Sequence, residues 1–420
     1  MKKATFLLCL FILIATSVHS QQKVNISLKE FLEKVRLNNL EYAAEKLNIN
    51  IADAAIESAK VFNDPNVSIG YGSAEIYGMK MGSSIGVEVS KTISYGKRPA
   101  AIEYAKSERE LTKILLDDYF QNLRAYATSL WIDVIKKQRL FDVQMSTYQM
   151  VRELVAIDSL RQVEGWIGEI DAKQSRVEAG IMYNELLNSE VELQHAYLNL
   201  TNVCGVSAAD TIIVPSTTTI KHVRQFNLSE LLREAPSKRA DILAVASGID
   251  LSEKGLRVAK ASNNTDFEIA VGLNLHKEAK NEMAPSPFHR DFSVSLSIPI
   301  PISTKLYNGE VKAARSKIQQ AELKYKSAVQ VMETEIIESY NNYLKLDKQL
   351  KSYSNGLLIN AKDVLDEKKT GYRKGDTPFL EVLDAQRTYD SILIMYFETM
   401  YNKSEALVKL EKAAGIWDIE

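Results

Sequence analysis

The residues able to do chemistry in this sequence are few and poorly placed for it. Gly82-Ser83-Ser84-Ile85-Gly86 has the spacing of a nucleophile elbow, a motif that works only where a strand turns sharply into a helix and lifts the serine out. Here the motif leads into residues that alternate with period two, so the strand-turn-helix setting is missing. His195, His222, His276 and His289 are scattered without metal-ligand spacing. Met79 and Met81 flank Lys80 and offer soft sulfur to a thiophilic cation, although paired thioethers in a loop are more often incidental, which makes them weak metal candidates. No phosphate loop, HExxH or paired CxxC occurs. No catalytic residue and no cofactor is therefore expected, and the chain does not read as an enzyme. Asp366, Glu367, Asp376 and Asp384 form an acidic cluster that several chains could multiply into rings acting on cations at an entrance gate. The plain alternative is a solvated helix end.

The elements around these residues are long helices. The chain has 420 residues, 45% hydrophobic and 25% charged, with 52 basic against 54 acidic side chains, which excludes disorder and makes nucleic acid an unsuitable partner. Nine prolines and 18 glycines are few for a loop-rich protein of this size. Lys2 and Lys3, the apolar run Ala4 to Ala15 and Val18-His19-Ser20 before Gln21 read as a signal peptide over residues 1–20. That run is too short to cross a bilayer, which takes about 20 apolar residues, and no later window reaches 18. Cys9 falls in the segment expected to be removed, leaving Cys204 as the single thiol and no disulfide within one chain.

The rest repeats once. Leu28-Lys29-Glu30-Phe31-Leu32 is echoed by Leu228-Ser229-Glu230-Leu231-Leu232 and Ala59-Lys60 by Ala259-Lys260, at an offset of 200. Gly165 with Gly375, Ile170 with Leu380, Ala196 with Ala406 and Gly205 with Gly415 hold an offset of 210. The expected repeats cover residues 21–215 and 216–420, each a short helix, an insert, a very long helix, a turn and a medium helix. Helices are expected over about 28–62, 98–160 and up to 203, then 228–262, 309–369 and 376–414. The tips are expected at 161–168 and 370–376. Phe141, Met145, Tyr148 and Arg152, and Leu346, Leu350, Tyr353 and Leu357, follow coiled-coil spacing of four, three and four. A helix of about 62 residues spans ~93 Å and needs lateral partners along its length.

The two inserts change period. Phe267, Ile269, Val271, Leu273 and Leu275 alternate with small or polar residues, as do Phe292, Val294, Leu296, Ile298 and Ile300. Val67, Ile69 and Tyr71, then Ile85, Val87 and Val89, repeat the pattern in the first half. Hairpins are expected over 66–93 and 266–300. Ten residues tilted about 45° cover close to the ~25 Å apolar band of an outer-membrane barrel. A soluble sheet with one buried face alternates in the same way. Four strands cannot close alone, and an open edge is forbidden in lipid, so a barrel requires several chains.

The run from Gly371-Tyr372-Arg373-Lys374-Gly375-Asp376-Thr377-Pro378-Phe379-Leu380 through Leu383-Asp384-Ala385-Gln386-Arg387 resembles the second helical tip of the TolC-like outer-membrane efflux proteins. Gly165 through Glu169-Ile170-Asp171 and Gln174 resembles its first-half counterpart. Lys238-Arg239-Ala240-Asp241-Ile242 is similar to the family except at Ala240, where proline is more usual, and Ile298-Pro299-Ile300-Pro301 followed by Gly309 is also similar. The resemblance implies a mainly α fold with a small β part: long antiparallel coiled-coil helices forming a trimeric α-barrel tunnel. Four strands per chain would join a shared 12-stranded outer-membrane β-barrel, three times the four read here. It further implies a homotrimer in outer-membrane lipid with a long periplasmic part. The partners would be a periplasmic adaptor protein and an inner-membrane pump of the resistance-nodulation-division type. The reading that follows is a passive efflux channel; the competing one is a periplasmic structural coiled-coil protein without channel activity. Glycine at the tips allows backbone angles costly for other residues, and Glu164, Gly165, Trp166, Lys374, Gly375, Asp376 and Thr377 are the expected adaptor-docking residues. Asp376 is also a fair helix N-cap.

Overall fold

A computed structural model describes residues 22–217, 225–280, 282, 285–300 and 305–418. The expected signal peptide lies outside the described residues, as do His222 and Pro301. The chain divides into two compact units, one from the described parts of residues 1–45, 117–240 and 329–420, the other from residues 46–116 and the described parts of 241–328.

In the first unit the short strand β1 (Gln22–Ile26) pairs in parallel with β4 (Thr211–Pro215). This pair is too brief to show a period in the sequence and was not expected. Helix α1 (Leu28–Asn38) opens on a reciprocal cap: the Glu30 amide donates to Ser27 Oγ, and the Ser27 amide donates to the Glu30 carboxylate. The helix expected over 28–62 breaks at Asn39, after which α2 runs Leu40–Lys60. Asn39 is extended; its side-chain oxygen accepts from the Tyr42 amide at 2.9 Å, and its Nδ2 donates to the Val203 carbonyl at 2.9 Å. The second expected short helix also divides, into α5 (Leu228–Lys238) and α6 (Ala240–Ala261), with Arg239 extended and donating to the Ala413 carbonyl at 3.2 Å. At both breaks a polar side chain reaches across to a neighbouring helix end.

The long helix α3 covers Lys97–Val163, and α4 covers Glu169–Val203. In the second half α7 (Lys305–Ser352) leads through a π-helical segment (Tyr353–Leu357), where Gly356 has φ 138°, into α8 (Leu358–Lys374); α9 is Phe379–Ala414. The helix therefore continues through Gly371 and turns only after Lys374, later than expected. The coiled-coil register also needs correction. On α3 the buried seam is Val143, Thr147, Val151, Leu154 and Asp158, whereas Arg152 is exposed and Phe141, Met145 and Tyr148 lie at the flank. Two polar members hide this seam from an apolar count.

In the second unit β2 (Asn66–Ile76), β3 (Met79–Ile93), β5 (Phe267–His276) and β6 (His289–Ser297) form one antiparallel sheet in the order β2-β3-β5-β6. The first hairpin turns at Tyr77-Gly78, both with positive φ, the geometry that suits the twist of a two-residue loop. Register aligns the side chains into rows across all four strands: Val67, Val89, Val271 and Val294 in one, Ile69, Val87, Leu273 and Phe292 in the next. The opposite face carries Asn66, Ser90, Ala270 and Ser295, then Ser68, Glu88, Gly272 and Ser293. A Cβ on Gly86 would stand 2.2 Å from Asn274 Oδ1, so a larger residue there would turn the Asn274 side chain aside. No described helix is long and apolar enough to cross a membrane.

Candidate functional site

Two features stand out: the paired helical tips of the first unit and the sheet of the second. At the first tip α3 closes with Gly165 at φ 78° and the Trp166 amide donating to the Arg161 carbonyl at 2.8 Å. At the second, Gly375 has φ 90° and the Asp376 amide donates to the Gly371 carbonyl at 2.9 Å. Both are the left-handed glycine ends that satisfy the last carbonyls of a helix. Thr377 folds back so closely that a Cβ on Gly371 would lie 2.3 Å from its Oγ1. Asp376 does not cap the next helix: Pro378 holds that position, its ring fixing φ at −69°, without a side-chain cap bond.

The tips are tied together beneath their turns. The Tyr372 hydroxyl donates to Asp158 Oδ1, and Arg161 Nη2 donates to the Tyr372 carbonyl at 2.6 Å with its guanidinium 4.6 Å from the ring centre. Burial, then the Asp158 carboxylate, pushes the Tyr372 phenol well above its ordinary pKa, so it stays a donor. Tyr372 packs with Leu154 and Val382 in one buried cluster, while Val151, Met182 and Leu383 make the next. Ile167, Asp171 and Gln174 from the first tip and Gly375, Asp376 and Thr377 from the second line one cleft of about 360 Å³.

Of the expected docking residues, Asp376, Gly375 and Thr377 meet at this cleft; Glu164, Gly165, Trp166 and Lys374 are exposed outside its lining, Trp166 at 74%. The four acids of the expected gate are not brought together within one chain. Asp366 and Glu367 are exposed on α8, Asp376 is at the cleft, and Asp384 lines a separate groove between α8 and α9 with Lys368 and Glu381, themselves paired at 2.6 Å. Cys204 is buried and its thiol is pushed up to about 12 by that burial, which makes it a poor nucleophile and a poor metal ligand. Ser84 lies inside β3, opposite Gly72 and His276, in the strand setting the sequence reading expected. Met79 and Met81 begin β3 beside the Tyr77-Gly78 turn.

The apolar rows of the sheet face solvent, with Ile69 at 76% and Val294 at 66% exposure. On the small-residue face Ser90 and Ala270 of the inner strands are buried, whereas the edge strands β2 and β6 are exposed on both faces. Sequence reasoning missed one constellation on that second face. His276 and His289 are directly paired across β5 and β6, with Asp291 two residues along. The signal lay in the hairpin: extending the pairing outward by one pair beyond Leu275 and Arg290 sets the two histidines opposite each other.

Long helices capped in pairs by left-handed glycines, together with a four-stranded sheet whose exposed face is apolar, are the arrangement that the resemblance to the TolC-like outer-membrane efflux proteins implies. Residues 231–416 match the family described as Outer membrane efflux protein. The cobalt-zinc-cadmium resistance protein CzcC of Cupriavidus metallidurans is 22% identical over 321 residues, covering 76% of this chain and 74% of CzcC. A membrane protein from Pseudomonas aeruginosa shares the fold with a TM-score of 0.75 at 17% identity, covering 93% of each chain. The CmeC outer membrane channel of Campylobacter jejuni does so at 0.74 and 14% identity, covering 92% of this chain and 85% of its own.

Proposed function

We propose that the chain is the outer-membrane channel of a tripartite efflux system, conducting solute passively from a periplasmic adaptor and inner-membrane pump to the exterior. The observation that carries this reading is the exposed apolar face of the sheet. Rows of Val, Ile, Leu and Phe left open to water would cost roughly 25 cal/mol per Å² against burial, so a lipid environment is the physical reason to build them. A four-stranded sheet with β2 and β6 as open edges cannot stand in lipid. Three chains would close it into a 12-stranded barrel, three times the four strands of this sheet. Small residues on the opposite face leave room for a watery lumen.

The repeat is supported by matching contacts: Asn39 reaches Val203 and Arg239 reaches Ala413, at the same offsets of 200 and 210 that relate the sequences. Repeats bounded near residue 215 would each supply one hairpin and one tip. The shared cleft beneath the tips, with Asp376 in its lining and Lys374 exposed outside it, is the adaptor-docking surface, and the pump is of the resistance-nodulation-division type. Heavy-metal cations are the first cargo to test, because the CzcC name couples that relative to cobalt, zinc and cadmium resistance.

The test is reconstitution. Detergent-extracted protein should run as a trimer and give stepwise conductance in planar bilayers, and Lys374→Glu with Asp376→Lys should leave conductance intact while abolishing cross-linking to the adaptor encoded beside it. A monomer that dissolves without detergent and makes no pores would sink the channel; unchanged cross-linking would sink the docking surface alone.

A further inference from the structure

We propose that His276, His289 and Asp291 form a binding site for a divalent transition-metal cation of the zinc type on the small-residue face of the β5–β6 hairpin. His276 Nε2 lies 2.9 Å from Asp291 Oδ2, and His289 Nε2 lies 4.0 Å from the same oxygen. The two imidazoles are parallel within 3°, with centroids 4.4 Å apart. One donor atom from each of the three residues falls within 4.8 Å of the others. Both Nε2 atoms therefore lie within 4.0 Å of one carboxylate oxygen.

The second ring nitrogen of His289 strengthens the case. His289 Nδ1 is 3.0 Å from the Pro287 carbonyl oxygen, which can only accept. In a neutral imidazole that contact calls for the proton on Nδ1, the tautomer whose Nε2 offers its lone pair to the cluster. A backbone acceptor holding the far nitrogen is the arrangement that fixes tautomer and ring orientation in histidine metal ligands. The strand backbone holds the set in place: Gly72, Ser84, His276 and His289 form one row of the sheet, and Gly70, Gly86, Asn274 and Asp291 the next. Glycine and serine around the ligands leave space for an ion and for water in its remaining positions.

The donor set selects the ion. Two imidazoles and one carboxylate suit zinc, with three protein ligands and an open position, whereas magnesium and calcium require oxygen ligands. The site is built within one hairpin of one chain, so it stands independently of trimer closure, transport or cargo.

The experiment uses the full mature chain, purified in detergent without a histidine tag. Isothermal titration with Zn²⁺ in excess Mg²⁺, and visible d–d absorption on adding Co²⁺, should show saturable uptake of one ion per chain. His276→Gln and His289→Gln should each weaken Zn²⁺ binding at least tenfold, and Asp291→Asn should weaken it and change the Co²⁺ spectrum, while His195→Gln leaves both readouts unchanged. Equal elution volume on gel filtration establishes that the variants are folded. Absence of saturable uptake by the wild-type chain, or uptake unaltered in the hairpin variants, would overturn the site. Either result leaves the channel reading untouched, because neither measurement involves conduction.

Discussion

Replacing Tyr372 with Phe removes one hydroxyl and leaves the buried Asp158 carboxylate without that donor. An unsatisfied buried acceptor costs about 1–3 kcal/mol, so Tyr372→Phe should lower the thermal midpoint clearly. Asp158→Asn, which keeps an oxygen for the phenol, should lower it less. Equal melting curves for Tyr372→Phe and wild type would show that the bond is immaterial. Two glycines allow a sharper comparison. Gly165 and Gly205 both have positive φ, 78° and 65°, but a Cβ on Gly165 meets nothing within 4 Å whereas one on Gly205 would lie 2.1 Å from the Asn38 carbonyl oxygen. Gly165→Ala should therefore cost only the left-handed backbone penalty, about 1–2 kcal/mol. Gly205→Ala must in addition displace the end of α1 and should cost measurably more in denaturant titration. If the two variants lost the same stability, the close approach at Asn38 would carry no weight.

The helix pair beneath the tips carries a half-buried acid whose charge is expensive. Asp390 on α9 accepts from Thr147 Oγ1 at 2.7 Å and from Gln386 Nε2 at 2.7 Å, yet burial outweighs both bonds and raises its pKa above the ordinary carboxylate value. A carboxyl raised on folding is held more tightly as the protonated form in the native state. Its contribution is greatest at low pH and is lost as pH rises from the ordinary carboxylate value through the raised one. Asp390→Asn removes that titration. Wild type should lose stability relative to the variant as pH rises from the ordinary carboxylate value through the raised one, seen as a growing difference in thermal midpoint; a difference constant with pH would contradict the assignment. The same Thr147 explains what the sequence hid. Long helices, strand alternation and tip glycines follow from local pattern and were legible. The helix seam was not, because Thr147 and Asp158 occupy core positions that an apolar count assigns to the surface, and their partners lie 239 or more residues away for Gln386 and Asp390, and 214 for Tyr372. The breaks at Asn39 and Arg239 escaped for a similar reason, since each depends on a carbonyl at the end of a distant helix. The histidine cluster required knowledge of which residues face each other across a loop.

At the scale of the whole molecule, the question is what covers the apolar face of the sheet. Val294 and Ser295 are neighbours on β6 that point to opposite faces, the first in the exposed apolar row with Val67, Val89 and Val271, the second in the row with Asn66, Ser90 and Ala270. One substitution placed at each position separates lipid from lumen while holding strand, depth and backbone nearly constant. An arginine facing lipid near the bilayer midplane costs about 2–4 kcal/mol, falling toward the interfaces, whereas lumen substitutions tune selectivity. Val294→Arg should therefore reduce the yield of detergent-resistant trimer in the outer-membrane fraction. Ser295→Arg should insert normally and shift ion selectivity toward anions, because three chains would place three guanidinium groups around one lumen. A soluble sheet whose apolar face is covered by another protein predicts a different pair of results: Val294→Arg would release the chain from its partner, Ser295→Arg would do nothing to any conductance, and both would extract without detergent. Fractionation and bilayer recording on the two variants thus decide between a pore wall and a protein-protein interface from adjacent residues of a single strand.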